Sequence, residues 1–240
     1  LIKCIKSNLI KVISFDDLGS GNKYVDLKYN ILLRKENNIK KAIKGFNNLI
    51  LTTNKLKINY IKKRIKNILI FFGGYDHNLI LEKLLKNNSF FQKKYNYNFI
   101  ITSNNSSYQN LVEKKKFLYT NHFNINLIKN PKNFEYILHN TDLAIISGGL
   151  TMFECLQSGI PSLVIPQYKH QEENIKILKK KKAVLFLPKK IINTFNFKNI
   201  INDNESSYLI RKKMSLNARL IINGKASKKI INDIYKLMKA

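Results

Sequence analysis

The sequence predicts an α/β protein whose larger part is a doubly wound parallel sheet, and three features of the chain predict it. From Asn67 onward, short apolar runs alternate with stretches of helical periodicity at the spacing of strand–helix–strand units. The runs are near-continuous in aliphatic and aromatic residues, as in 68–72 and 183–187, which is the pattern of strands covered on both faces. Two of them lead into a glycine pair, Gly73-Gly74 and Gly148-Gly149, the punctuation of a sharp strand-to-helix turn. Parallel neighbours need right-handed crossovers, so this alternation leaves few other topologies.

Taken in order, 12–15 is an apolar run ending in Asp16-Asp17, followed by a glycine-bearing loop over 19–22 and strand-like pieces at 27–30 and 31–34. Residues 35–67 are polar and basic, and read as surface segments plus a connection between domains. The regular region then gives strand 68–72 and helix 76–85, strand 98–102 and helix 108–116, strand 125–128 and helix 131–139. Pro131 suits a first helical turn, where no amide partner is lost. Strand 143–146 leads through Gly148-Gly149 into a helix reaching Leu156, strand 162–165 into a helix over 171–181, and strand 183–187 ends the set. Two further helices, 206–222 and 227–238, close the chain.

Bulk properties bound the function classes. With 240 residues, 44% of them hydrophobic, the chain can build one good core or two small ones. It holds no long low-complexity tract, and no apolar run approaches the ~20 residues of a spanning helix. Its two cysteines, Cys4 and Cys155, are far apart and in no metal-ligand spacing. A disulfide framework or zinc site is therefore not expected, no cofactor or metal is called for, and a reducing cytoplasm fits. The chain begins at Leu1, and no signal-peptide pattern precedes the first apolar run, which reads as a fragment or trimmed chain. The net charge of +28 has two explanations. Clustered lysines attract nucleic acid or an anionic membrane surface; alternatively Lys, Asn and Ile are raised together, as AT-rich codons would do. The lysines are spread along the chain in short runs such as 179–182, and no nucleic-acid-binding motif accompanies them. Compositional drift is the better account. No nucleic-acid partner is expected, and the charge would also suit weak association with a membrane surface.

In an open parallel sheet, ligands bind beyond the carboxyl ends of the strands. After strand 143–146 the chain reads Ser147-Gly148-Gly149-Leu150-Thr151-Met152-Phe153-Glu154. A glycine turn opening a helix offers close backbone approach, unpaired amides and a positive dipole end, which together suit a pyrophosphate; a tight turn alone would look the same. Thr151 and Glu154 also fit the spacing of a capping box, in which the glutamate reaches back to the cap amide. The other use of Glu154 is to accept both hydroxyls of a nucleotide ribose. After strand 162–165, Gln171 and Asn174 fall on one helical face and offer neutral amides to sugar or phosphate, or form an ordinary solvated first turn. Among the histidines, His77 follows the first glycine pair and His170 adjoins Gln171, while His122 and His139 read as loop and helix-end residues. None has by pattern the partners of a general base, so no catalytic residue is assigned.

Together these segments resemble the nucleotide-binding half of GT-B-fold UDP-sugar enzymes, a class that includes the lipid II-forming N-acetylglucosaminyltransferase. The block from Asp142 through Gly148, Gly149, Thr151 and Glu154 carries the likeness, with Ser158-Gly159-Ile160-Pro161 and the Gln171…Asn174 pair. A narrower similarity lies in Phe71-Phe72-Gly73-Gly74-Tyr75-Asp76 and in the string Asp16-Asp17-Leu18, Asp26-Leu27, Asn30, Leu32-Leu33-Arg34. These resemble the UDP-2,4-diacetamido-2,4,6-trideoxy-β-L-altropyranose hydrolases of pseudaminic acid synthesis and the related spore-coat polysaccharide proteins. The likeness runs from about Lys11 to Leu237.

The resemblance implies a GT-B-like, Rossmann-like architecture. Residues 1–60 would be the carboxyl-terminal remnant of a first, catalytic domain, 61–224 the UDP-binding domain and 225–240 a closing helix. It implies a hydrolase that releases UDP from a UDP-sugar. Gly148, Gly149 and Thr151 would face the pyrophosphate, Glu154 the ribose, and Gln171 and Asn174 the phosphate or sugar, while Gly73 and Gly74 would line the interdomain cleft. That family's catalytic histidine sits in a Gly-rich loop near the start of its first domain. Nothing before Lys11 matches it, so this chain is expected to bind without turnover. Two alternatives stand: a GT-B glycosyltransferase using the same donor and, more distantly, a basic nucleic-acid-binding protein.

Overall fold

The computed structural model describes residues 10–17, 19–32, 42–51, 59–87, 90–102, 112–113, 116, 123–189 and 197–239. The chain divides into two compact units, 1–54 with 221–240, and 55–220. In chain order the described strands are β1 (Ile13–Phe15), β2 (Leu27–Asn30), β3 (Ile43–Lys44), β4 (Asn67–Phe71), β5 (Asn96–Ile101), β6 (Asn124–Lys129), β7 (Leu143–Ser147), β8 (Ser162–Ile165) and β9 (Leu185–Phe186). The described helices are here α1 (Ile80–Lys86), α2 (Phe134–His139), α3 (Leu150–Ser158), α4 (Lys169–Lys180), α5 (Phe197–Ser206), α6 (Tyr208–Ile221) and α7 (Ala226–Lys239).

The smaller unit is a parallel sheet in the order β1-β2-β3. Tyr29 and Ile31 bury against Ala226 and Ile230 of α7, and the Tyr29 hydroxyl donates to Asp233 Oδ2 at 2.8 Å. The closing helix, expected to stand apart, is therefore part of this unit's core. The acidic string does turn chemistry. Asp16 Oδ1 accepts from the amides of Ile31 and Leu32, Asp26 Oδ2 from Val12 N, and Asp17 Oδ1 from Gly19 N. Short carboxylates beside strand ends satisfy backbone donors that the ladder leaves over. Leu18, Leu33 and Arg34 of the same string lie outside the described residues, as do Cys4 and His122.

The larger unit is a parallel six-stranded sheet in the order β6-β5-β4-β7-β8-β9. Its centre is dry: Ile68, Leu69 and Ile70 of β4 and Leu143, Ala144, Ile145 and Ile146 of β7 have no exposed surface. That is why these strands read as unbroken apolar runs. The edge strand β6 alternates with polar residues instead, and Asn126 Nδ2 donates to Asn98 Oδ1 on its neighbour at 3.0 Å. Ahead of β7, Asp142 Oδ2 accepts from the amides of Lys66 and Asn67, fixing where β4 begins.

Several elements differ from expectation. The helix expected from 76 starts at Ile80, because Asp76 Oδ2 takes the Leu81 amide at 2.8 Å and Leu79 sits in the left-handed region at φ 49°. The helix expected from 131 starts at Phe134, since Asn133 caps it by accepting from Tyr136 N. Only Leu185 and Phe186 pair as β9. Helix α5 was not anticipated; its Asn, Asp and Ser are weak helix formers. The helix expected over 108–116 is described only at Val112, Glu113 and Lys116, which are helical.

Arg211, at 1% exposure, anchors the end of α5. Its guanidinium donates to the Asn204 carbonyl, and its Nη2 donates to the carbonyls of Lys62 and Lys63 at 2.8 Å each. Removing it strands acceptors that solvent cannot easily reach. Arg211→Ala is expected to cost about 3 kcal/mol, read as a lower urea midpoint at unchanged m-value.

Candidate functional site

The chain runs from β4 outward to β5 and β6, then returns to place β7 on the other side of β4. Loops leaving the carboxyl ends of β4 and β7 therefore part in opposite directions, and the crevice between them is where an open α/β sheet takes its ligand. Both glycine pairs lie there. Gly73, at φ +84°, has the backbone that glycine favours, and a Cβ on it would stand 3.9 Å from Ser147 Oγ. A Cβ on Gly74 would meet nothing within 4 Å, and on Gly149 only Ser147 Oγ at 3.8 Å. Beside the β4 loop is a small recess lined by Phe72, Gly73, Gly74, Asp76, Ile101 and Thr102, among others. Thr102 Oγ1 donates to the Gly74 carbonyl at 2.9 Å.

Gly148 serves packing. A Cβ there would lie 2.8 Å from Ile175 Cδ1 and 2.9 Å from Gln171 Cβ, so α4 can rest on the β7 turn only over a bare backbone. A Cβ fits at Gly149, whereas Gly148 answers to the neighbouring helix.

Helix α3 is capped by Gly149, whose side chain offers nothing, so no side-chain acceptor covers its first turn. Thr151 is inside the helix rather than at the cap, so the capping box anticipated for Thr151 and Glu154 does not form. Thr151 and Glu154 instead hydrogen-bond to one another through their side chains. The Glu154 carboxyl is held above the ordinary glutamate value, first by burial and further by the charge of Glu135, while the Thr151 bond opposes the rise.

Gln171 and Asn174 are both buried on the inner face of α4. Gln171 Oε1 is occupied, accepting from Gln167 N at 2.8 Å, which makes it a loop-setting residue. Asn174, 3% exposed, keeps Oδ1 without a hydrogen-bond partner. His77 and His170 are exposed beside the crevice loops, whereas His139 ends α2 with Nδ1 3.3 Å from Asn59 Oδ1. Among the described residues no cluster of three or more His, Cys, Asp or Glu is placed to hold a metal ion. None of their helices is long and apolar enough to cross a membrane.

Sequence reasoning passed over Gln167. Its Nε2 donates to the Phe72 carbonyl and its Oε1 accepts from His77 N at 3.1 Å. Its own carbonyl takes Asn78 Nδ2 at 3.0 Å and Lys189 Nζ at 2.6 Å. One buried amide thereby ties the loop after β8 to the loop after β4, across the end of β7. The available signal was a polar residue directly behind Pro166 at the end of a buried strand.

Gly148→Ala is expected to cost about 1–3 kcal/mol through overpacking against α4, and Gly149→Ala at most about 1 kcal/mol, compared by chemical unfolding. Glu154 gives a pH-dependent test. Its folded pKa lies above the unfolded one, so the native state binds more protons and stability falls as pH rises from the unfolded value through the folded one. Glu154→Gln is expected to flatten that fall and to be the more stable protein at pH 7; a wild-type profile that does not fall there would contradict the burial.

Residues 67–234 match the glycosyltransferase family 28 C-terminal domain. An uncharacterised protein of Methanocaldococcus jannaschii is 30% identical over 71% of this chain and 38% of its own length. The spore coat polysaccharide biosynthesis protein SpsG of Bacillus subtilis is 25% identical over 73% of this chain and 52% of its own. The chain thus spans about half or less of the curated relatives it matches. Among solved structures, MurG of Acinetobacter baumannii superposes with a TM-score of 0.68 at 17% identity, over 98% of this chain and 70% of that one. That likeness shows a shared α/β fold of GT-B type, and the match over β4 to α7 settles the family: this chain belongs to the glycosyltransferase family 28 C-terminal domain family.

Proposed function

We propose that this chain is the donor-binding part of a UDP-sugar hydrolase that releases UDP from a UDP-linked diacetamido-trideoxy sugar, for nonulosonic-acid or surface-polysaccharide synthesis. The observation that carries the donor site is the uncovered first turn of α3 at the switch point, with half-buried Glu154 one turn further in. The amides and positive end of that helix take the diphosphate, and Glu154 takes the ribose hydroxyls, which supply polar partners to a carboxylate that burial otherwise disfavours. Asn174 Oδ1 awaits a donor, as a sugar or ribose hydroxyl would provide.

In the reaction, water attacks the anomeric carbon as the bond from that carbon to the phosphate oxygen breaks, and the electron pair leaves with UDP. The helix end stabilises the charge that develops on the departing diphosphate. The water's proton goes to a base which, by the resemblance to the altropyranose hydrolases, belongs to the amino-terminal domain. Likeness to SpsG supports a place in polysaccharide synthesis. Membership in a glycosyltransferase family favours a second reading, transfer of the same sugar to an acceptor. A fixed donor site serves either outcome.

UDP titrated into the chain should bind saturably. Glu154→Gln should weaken UDP about tenfold and leave inorganic pyrophosphate unchanged; equal loss of both would remove Glu154 from the ribose. The full-length protein incubated with the UDP-sugar and no acceptor should release UDP and free sugar, whereas a transferase would stay silent until an acceptor is added.

A further inference from the structure

We propose that Tyr75, His77, Tyr168 and His170 form an aromatic platform that receives the sugar ring of the donor, an inference that rests on the diphosphate lying at the α3 turn. The four rings make a continuous row. Tyr75 meets His77 edge to face at 4.1 Å, His77 meets Tyr168 edge to face at 5.3 Å, and Tyr168 stacks on His170 at 5.5 Å with planes 8° apart. Two rings come from the loop after β4 and two from the segment after β8, so the row joins the segments that leave the strands on either side of β7. The Gln167 bonds to Phe72 and His77 hold both segments in fixed register, so the row is built before any ligand arrives.

Packing does not account for the row. Tyr75 is 53% and Tyr168 38% exposed, and both histidines are exposed, so none of the four fills a core. Contiguous aromatic surface left open on a folded unit marks a place where something binds. Two-torsion aromatic side chains give rigid, amphipathic contact area at low entropic cost. The ligand class follows from ring chemistry and position. A pyranose presents a face of C–H groups, weakly positive, to the negative face of an aromatic ring, while its hydroxyls reach the rim. Glu154 senses Glu135 of α2, whereas the rings sit on the β4 loop and at the start of α4, next to Gln171. A ligand with its ribose at Glu154 and its diphosphate at Gly149 would carry its sugar toward the rings.

The test is calorimetry on the full chain with two probes, UDP and UDP-N-acetylglucosamine, for the wild type, Tyr168→Ala, Tyr168→Phe and Tyr75→Ala. Both alanine variants are expected to weaken UDP-N-acetylglucosamine about tenfold while UDP changes less than about twofold, and the phenylalanine variant to bind as the wild type. Unchanged affinity for the sugar nucleotide in the alanine variants, or an equal loss for both probes, overturns the platform while leaving the nucleotide site standing. A wild-type chain that gives no heat with UDP overturns the nucleotide site, and the platform with it. Tyr75 lies in a loop outside any helix, so its variant reports on ligand contact even if Tyr168→Ala unsettles the start of α4.

Discussion

The geometry of the crevice depends on one buried primary amide. Gln167 stands at the carboxyl end of β8 and reaches over β7 to the carbonyl of Phe72 and the amide of His77. A carboxylate in its place would accept but not donate, and would bury a negative charge. A lysine could donate but not accept. The amide does both without charge, and the low dielectric of its surroundings strengthens each bond it makes. Gln171 completes the arrangement by accepting from the Gln167 backbone, so α4, β8 and the β4 loop are fixed as one piece.

Around that piece the protein leaves polar groups less than fully satisfied. Glu154 is half-buried with its carboxyl pushed upward, Asn174 hides an oxygen with no partner, and the first turn of α3 has no side-chain cap. Each lowers stability in the empty protein, and each lies near the turn behind β7. Stable folds seldom keep unsatisfied groups together without a use for them. Other polar residues are matched closely: Asp142 fixes β4, Asp16 holds two amides, and Asn59 Nδ2 donates to the carbonyls of Leu138 and Thr141, although Asn202 Oδ1 in α5 is also buried without a partner.

The two glycines of the second pair show how alike in sequence and unlike in cause neighbouring positions can be. Gly148 is bare because Ile175 and Gln171 occupy the space its side chain would need. Gly149 has room for a Cβ, with Ser147 Oγ in ordinary contact at 3.8 Å, and opens the helix. Spacing cannot separate these causes, because the atoms that enforce the first belong to a helix more than twenty residues later in the chain.

By itself the sequence determined the parallel α/β class, the strands β4 to β8, both glycine turns and the strand ends at which an open sheet of this kind takes its ligand. These follow from apolar period and turn residues, which act over a few neighbours. Only the tertiary structure decided that α1 begins at Ile80, that α5 forms, that α7 joins the smaller unit, that Thr151 is no cap, and that Gln167 joins two loops. Each of these turns on a partner distant in the chain or on a side-chain orientation. Arg211 reaches back to Lys62, Asp233 to Tyr29 and Gln167 to Phe72, and a hydrogen bond across such separations leaves no periodic trace in the order of residues.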